Sequence, residues 1–142
     1  MAFAGINYWA VLLAAAAAWI FGAVWYRVFS KPWLKATART PEDVHALKGT
    51  SAEYRSYLVV LVALIIMAWM LAGVLGHLGP GQVTVRNGVI SAAFCWLGFV
   101  ATVIVVSNTF TRRPLLLTLI DGGYWLGSLV LMGAVVGLIG VP

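Results

Sequence analysis

The chain has 142 residues, of which 63% are hydrophobic and 9% charged, with a net charge of +5. That balance excludes an ordinary water-soluble domain, which would have nowhere to bury so much apolar surface, whereas a bilayer core about 30 Å thick accepts helices of about 20 apolar residues. The basic residues sit in short segments between apolar runs, with no basic face or aromatic-basic module, so the positive charge reads as membrane topology and no nucleic-acid partner is expected.

In chain order, Met1-Ala2-Phe3-Ala4-Gly5-Ile6 carries no basic residue and leads into an apolar run too long for a signal core, so that run is expected to be retained. Four apolar stretches follow one another, residues 8–28, 56–78, 84–108 and 115–139. Each is long enough to cross a bilayer at a helical rise of about 1.5 Å per residue. Continuous runs of this kind exclude the alternating pattern of a barrel strand. The expected fold is therefore all-α: an integral membrane four-helix transmembrane bundle, one transmembrane domain over residues 1–142, with a short cytoplasmic surface helix between spans one and two.

Between the first two spans lies the longest polar connection, residues 29–55. Within it Thr40 offers a cap, Pro41 a first helical residue, Glu42 and Asp43 an acidic first turn and Gly49 a stop, which predicts a helix from Pro41 to about Lys48. Ser51 is placed to cap the second span. Trp33, flanked by Lys31 and Lys35, has the pattern of an interfacial anchor, and Trp25 and Tyr8 are expected in the same role near the ends of the first span. The second connection, Gly79-Pro80-Gly81-Gln82, is a tight turn with only Arg86 nearby, and the third, Thr111-Arg112-Arg113-Pro114, is short and doubly basic. Putting connections one and three on one side collects Arg27, Lys31, Lys35, Arg39, Lys48, Arg55, Arg112 and Arg113 there and leaves Arg86 opposite. The positive-inside rule then makes residues 29–55 and 109–114 cytoplasmic and puts both termini on the opposite, non-cytoplasmic side.

One acid breaks the pattern. Glu42, Asp43 and Glu53 belong to the polar connection, but Asp121 falls seven residues beyond Pro114, roughly 10 Å into the fourth span. An acid at the centre of a spanning helix costs about 2.5–3.5 kcal/mol on insertion scales. The thirteen Leu, Ile and Val residues between Leu115 and Ile139 offset this by something on the order of 4–8 kcal/mol. The helix inserts, and the carboxyl group must face protein or water. It either meets an arginine reaching in from the boundary (Arg27, Arg55, Arg112 or Arg113) or donates to a neighbour such as Asn108, Ser107 or Tyr26. It is then a ligand or proton site, or else a structural hydrogen bond worth about 1 kcal/mol.

Thr118, Tyr124, Trp125 and Ser128 lie three, four and seven residues from Asp121, which puts them on its helical face. The candidate ligand-binding residues are accordingly Asp121, Tyr124, Asn108, Tyr26, Thr118 and Ser128, lining a small cavity between helices or forming a plain helix contact. Gly123 with Gly127, Gly133 with Gly137, and Ala14, Ala18 and Gly22 are small-xxx-small series. These predict close helix packing inside the bundle or between subunits, hence a homo-oligomer or a place in a larger membrane complex. Cys95 is the single cysteine and cannot form an intrachain disulfide. His45 and His77 fall on opposite sides of the membrane in this topology, which leaves no metal site, no Ser-His-Asp triad and no expected cofactor.

Several clusters resemble a known family. Asn7-Tyr8-Trp9-Ala10-Val11, then Gly22-Ala23-Val24-Trp25-Tyr26 leading to Phe29-Ser30-Lys31-Pro32-Trp33, are similar to the start of the bacterial membrane family catalogued as domain of unknown function 1761. The likeness continues through Trp96-Leu97-Gly98-Phe99, Asn108-Thr109-Phe110 and Asp121-Gly122-Gly123-Tyr124, over essentially the whole chain. The resemblance implies a small four-span inner-membrane protein and groups Asn7, Trp25, Tyr26, Trp33, Asn108, Asp121 and Tyr124 in one pattern, while the connection between spans one and two is longer and more basic than the family's. The function expected is binding of a small molecule, lipid or partner subunit between helices, without catalysis. The rivals are a small transporter or proton-coupled carrier using Asp121 and a membrane-embedded enzyme acting on a lipid or quinone.

Overall fold

The first long helix starts where a polar side chain can serve its free N–H groups. In the computed structural model, which describes residues 2–142, α1 runs Tyr8–Val28, and Asn7 Oδ1 accepts from the backbone N–H groups of Trp9 and Ala10 at 3.1 and 3.3 Å. A cap of this kind contributes about 1 kcal/mol. Pro32 has no N–H to give to the Val28 carbonyl, so α1 cannot run on unbroken through it. Phe29 instead closes α1 and opens α2, Ser30–Thr37, where the proline falls in the first turn and its missing N–H is no loss. This helix occupies what the sequence presented as an anchor segment of the polar connection. It ends on Ala38 at φ 53°, with Ala38 N–H bonded to the Lys35 carbonyl at 3.3 Å and Arg39 N–H to that of Leu34 at 3.0 Å. That is a Schellman closure with alanine where glycine is usual.

Helix α3, Pro41–Leu47, carries a reciprocal capping box: Thr40 Oγ1 accepts from Asp43 N–H at 3.2 Å, and Asp43 Oδ2 accepts from Thr40 N–H at 2.8 Å. The Thr40 backbone N–H, and after it the Thr40 hydroxyl, hold the Asp43 carboxyl below the usual carboxylate range. The second long helix, α4, runs Ser51–His77. Its cap is Thr50, whose Oγ1 accepts from Glu53 N–H at 3.4 Å, while Glu53 Oε2 accepts from Gly49 N–H at 2.6 Å. Ser51, expected in that role, is the first helical residue, and Thr50 ahead of it supplies the side-chain oxygen that accepts from Glu53 N–H.

The third long helix is built of α5 (Val85–Cys95), a π-helical stretch Trp96–Ala101 and α6 (Thr102–Phe110), continuous over 26 residues. Arg112, at φ 54°, closes it as Ala38 closes α2, with Arg113 N–H on the Asn108 carbonyl at 2.9 Å. Helix α7, Leu115–Ile139, is the fourth. Among the described residues there is no strand, and these four helices are long and apolar enough to cross a membrane.

Helix α7 is the central member, covered by α5, α1 and α4. The core joins Ala14 and Ala18 of α1, Leu64, Ala68, Leu71 and Leu75 of α4, and Leu129, Met132 and Val136 of α7. Small residues set how closely these helices approach. A Cβ on Gly88 would run into the Gly133 carbonyl, and one on Gly137 into the Thr84 backbone, so α5 and α7 touch main chain to main chain. Gly123 and Gly127 make room for Trp25 and Phe21 of α1, and Gly22 for the Tyr124 ring. The small-residue pairs noted in α1 and α7 are thus occupied by contacts within the chain. Before α1, the segment ahead of Asn7 folds onto the end of α4, with Ala4 N–H on the Gly76 carbonyl at 2.9 Å and the Phe3 ring 4.9 Å from that of His77.

Gly88→Ala should lower the stability of the detergent-solubilised protein by about 1–3 kcal/mol, because its methyl group meets a main-chain carbonyl that cannot step aside. At Gly122 an added Cβ meets nothing within 4 Å, so Gly122→Ala should be neutral or stabilising by up to ~1 kcal/mol through helix propensity. Thermal unfolding of both variants decides; equal effects would show that α5 and α7 are not in main-chain contact. A second expectation concerns pH. The Asp43 carboxyl, depressed in the folded state, contributes stability above its unfolded value near pH ~4 that is lost as pH falls through the folded value. The protection factors of the α3 amides, which are exchange rates corrected for the intrinsic pH dependence, should therefore fall on acidification in the native chain and not in Asp43→Asn.

Candidate functional site

One turn of α7 receives three aromatic donors. Tyr26 Oη donates to Asp121 Oδ1 at 2.7 Å, Trp25 Nε1–H donates to the Ile120 carbonyl at 3.1 Å, and Trp96 Nε1–H donates to the Gly122 carbonyl at 2.9 Å. Residues 120, 121 and 122 are each gripped, two of them from α1 and one from the third long helix. Asp121 thus pairs with the hydroxyl of Tyr26, one of the neighbours expected for it. Trp25, expected as an interfacial anchor, has its indole turned onto α7, where Gly123 makes room for the ring. Tyr8 is exposed at the start of α1.

Beside this turn opens a cavity of about 1000 Å³. Tyr26, Asp121 and Trp125 form one wall, and Val103, Ile104, Ser107 and Asn108 of α6 form another. Trp33 and Leu34 of α2, Val44 of α3 and Lys48 just after it also line the space, together with Arg27, Ser30 and Tyr57. The Trp33 ring meets Tyr26 edge-on at 6.2 Å and has the Arg39 guanidinium 5.8 Å from its centre. Tyr57 Oη donates to Glu53 Oε1 at 2.9 Å.

Of the six residues named from the sequence, Tyr26, Asn108 and Asp121 line this cavity. Thr118 accepts from Asn108 Nδ2 at 2.9 Å and faces a smaller space of about 260 Å³ bounded by Trp96, Ile104 and Gly122. Tyr124 and Ser128 are buried in the packing instead: the Tyr124 ring lies 5.1 Å from that of Tyr26 and 4.7 Å from that of Trp125, and the Ser128 hydroxyl has no hydrogen-bond partner among the described residues. A helical face is broad, and within it Trp125 reaches the cavity while Tyr124 turns toward α1. Arg27, Ser30, Trp33 and Lys48 were not singled out as lining residues. The available signals were the position of Arg27 next to Tyr26 and the spacing of four between Val44 on α3 and Lys48 at its end. Among the described residues no three of His, Cys, Asp and Glu come together as metal ligands.

The model of a family described as "Protein of unknown function (DUF1761)" matches residues 9–137. The chain belongs to that family. No curated protein and no solved structure matched it. In this DUF1761 protein members of three of the sequence clusters that carry the family resemblance meet in space: Trp25, Tyr26, Trp96, Asp121, Gly123 and Tyr124 all belong to the clasped turn or touch it. Trp96-Leu97-Gly98-Phe99 is also the start of the π-helical stretch. Four helices of spanning length and composition, in a family of unknown function, are compatible with a multi-pass membrane protein.

Tyr26→Phe leaves the Asp121 carboxylate without its donor and should lower stability by about 1–3 kcal/mol. Asp121→Asn keeps an acceptor at the same place and should cost less. The double variant should then be clearly more stable than the sum of the two single losses implies, with a coupling of about 1 kcal/mol or more in thermal unfolding. Strict additivity would mean that the two groups do not interact in the folded protein.

Proposed function

We propose that this DUF1761 protein is a multi-pass protein of the bacterial inner membrane that binds a small molecule, a lipid or a partner subunit between its helices, in the cavity beside Asp121. The observation that carries the reading is the combination of size and lining: about 1000 Å³ bounded mainly by apolar and aromatic side chains, with a few polar groups converging on it. Those are the features of a small-molecule site, at the upper end of the usual range. In this reading the four long helices are the transmembrane spans of a single domain. Residues 29–55 and 109–114 are cytoplasmic with α3 at the surface, both termini are periplasmic, and the cavity opens in the cytoplasmic half. Trp33 stands at headgroup level. A homo-oligomer or larger complex would use the outer face of the third long helix, the least covered of the four.

A carrier is the second reading, favoured by the π-helical stretch in a spanning helix next to an intramembrane acid, since π segments recur at functional sites. The two readings separate by flux. Proton-driven or substrate-driven flux in liposomes that disappears in Asp121→Asn while the protein stays folded would establish carriage, and ligand retention without flux would establish binding.

The topology has its own test. A periplasm-active reporter fused after Pro142 should be active and the same reporter fused after Arg113 inactive, with a cytoplasm-active reporter giving the reverse. The opposite pattern would overturn the orientation and with it the cytoplasmic placement of the cavity.

A further inference from the structure

The cavity has two chemically different kinds of lining. Arg27 of α1 and Lys48, which follows α3, face the same space as the Ser30 hydroxyl. The remaining walls include Val103 and Ile104 of α6 and Trp125 of α7, with Trp33, Leu34 and Val44 beside the two cations. The hydrogen bonds of nearby carboxylates are directed elsewhere than to these two cations: Asp121 accepts from Tyr26, Glu53 from Gly49 and Tyr57, and Asp43 from Thr40. Two cations beside apolar walls form a poor site for a neutral apolar molecule, which would offer neither of them a charge-assisted hydrogen bond. They form an equally poor site for a small hydrophilic ion, which would leave the apolar walls unused.

Resting on the binding reading above, we infer that the ligand is an anionic amphiphile, with one acidic head, phosphate or carboxylate, held by Arg27 and Lys48 and an apolar body lying along Ile104, Val103 and Trp125. Asp121, held by Tyr26 through Oδ1, lines the same cavity and can accept from a hydroxyl or amine donor that follows the head. The source fits the location, because such a molecule is at hand in any bilayer containing acidic phospholipid, and basic pockets between helices on the cytoplasmic side are where acidic head groups are held.

The test uses the full chain purified in a neutral maltoside detergent, with three probes: phosphatidylglycerol, phosphatidylcholine of the same acyl chains, and inorganic phosphate. Binding is read from the rise in unfolding temperature with added probe and from retention in native mass spectrometry. Phosphatidylglycerol should bind at least about tenfold more tightly than either other probe. Arg27→Gln and Lys48→Gln should each weaken it about tenfold, whereas Arg86→Gln, at the opposite end of the third helix, should not. Ile104→Trp, which fills the channel, should weaken both lipids. Equal binding of the two lipids, unaffected by Arg27→Gln but abolished by Ile104→Trp, would overturn the anionic head while leaving the cavity a binding site. Phosphate binding as tightly as phosphatidylglycerol would overturn the amphiphile and make the ligand a free anion. If Ile104→Trp changes nothing, the cavity is not a binding site and both readings fall.

Discussion

For four helices long and apolar enough to cross a membrane, burying apolar area in a bilayer provides no attraction, because lipid tails solvate leucine as well as another helix does. What remains is close contact and hydrogen bonding, and this chain concentrates both on α7. The aromatic donors Trp25, Tyr26 and Trp96 converge on residues 120–122, where two of the three acceptors are main-chain carbonyls. Such a carbonyl already accepts within its own helix and has a second lone pair to offer. An indole N–H that would otherwise be unsatisfied in a membrane finds its partner there, so the clasp solves the problem of the donor as much as that of helix association. Removing it would leave polar groups of α1 and of the third helix in apolar surroundings.

Away from the clasp the helices differ in how closely they lie, and that difference makes the cavity. At one end α5 and α7 meet through Gly88, Gly133, Gly137 and Thr84 with no side chain between them. At the other end the facing positions hold Ile104 and Asn108 on α6 and Leu119 and Thr118 on α7, and none of the α6 residues is buried. Helices are stiff on the length of a few turns, so main-chain contact at one end and large side chains at the other force them apart like the blades of opened scissors. The wedge between α6, α7 and the end of α1 is then covered by α2 and α3. The positions of the polar connection's two short helices are consequences of Pro32, Ala38 and the Thr40 capping box. The cavity thus has covalent-geometry causes at its lid and packing causes at its walls.

Much of this was legible in the sequence. The lengths of the four helices follow from unbroken apolar runs, α3 from a cap, a proline and two acids in order, and the importance of Asp121 from a charge standing where a charge is expensive. Tyr26 was one of three neighbours named for it. Less could be read where a residue type has two common uses. Tryptophan near a helix end is usually an interfacial ring, so the inward turn of Trp25 had no sequence signal apart from the glycines opposite. Glycine pairs report close approach but not the partner, and here the partner was in the same chain. Ala38 and Arg112 close helices in a backbone conformation for which sequence reading looks for glycine, and α2 went unrecognised partly because its stop signal was missing.

The π-helical stretch gives the third helix a property that ordinary α geometry would deny it. Gly88, Ala92, Trp96, Val100, Ile104 and Asn108 are spaced by four, and each lies on the side of α7. Gly88 and Ala92 abut Gly133, Trp96 bonds to Gly122, Val100 packs on the core, Ile104 shares a lining with Thr118, and Asn108 bonds to it. In a straight α-helix each step of four overshoots a full turn by about 40°, so five steps would carry Asn108 roughly 200° round and out toward lipid. A stretch of i→i+5 bonding holds more residues per turn and takes part of that overshoot back; helix curvature can take more. Placing the π turn at Trp96–Ala101, between the glycine contact and the cavity, lets one helix serve both. Its first half presents small residues for main-chain contact, and its second half still presents Ile104 and Asn108 to α7 and the cavity. A regular α-helix through the same residues would have to surrender one end or the other, which makes the irregularity a condition for having a cavity wall at this position.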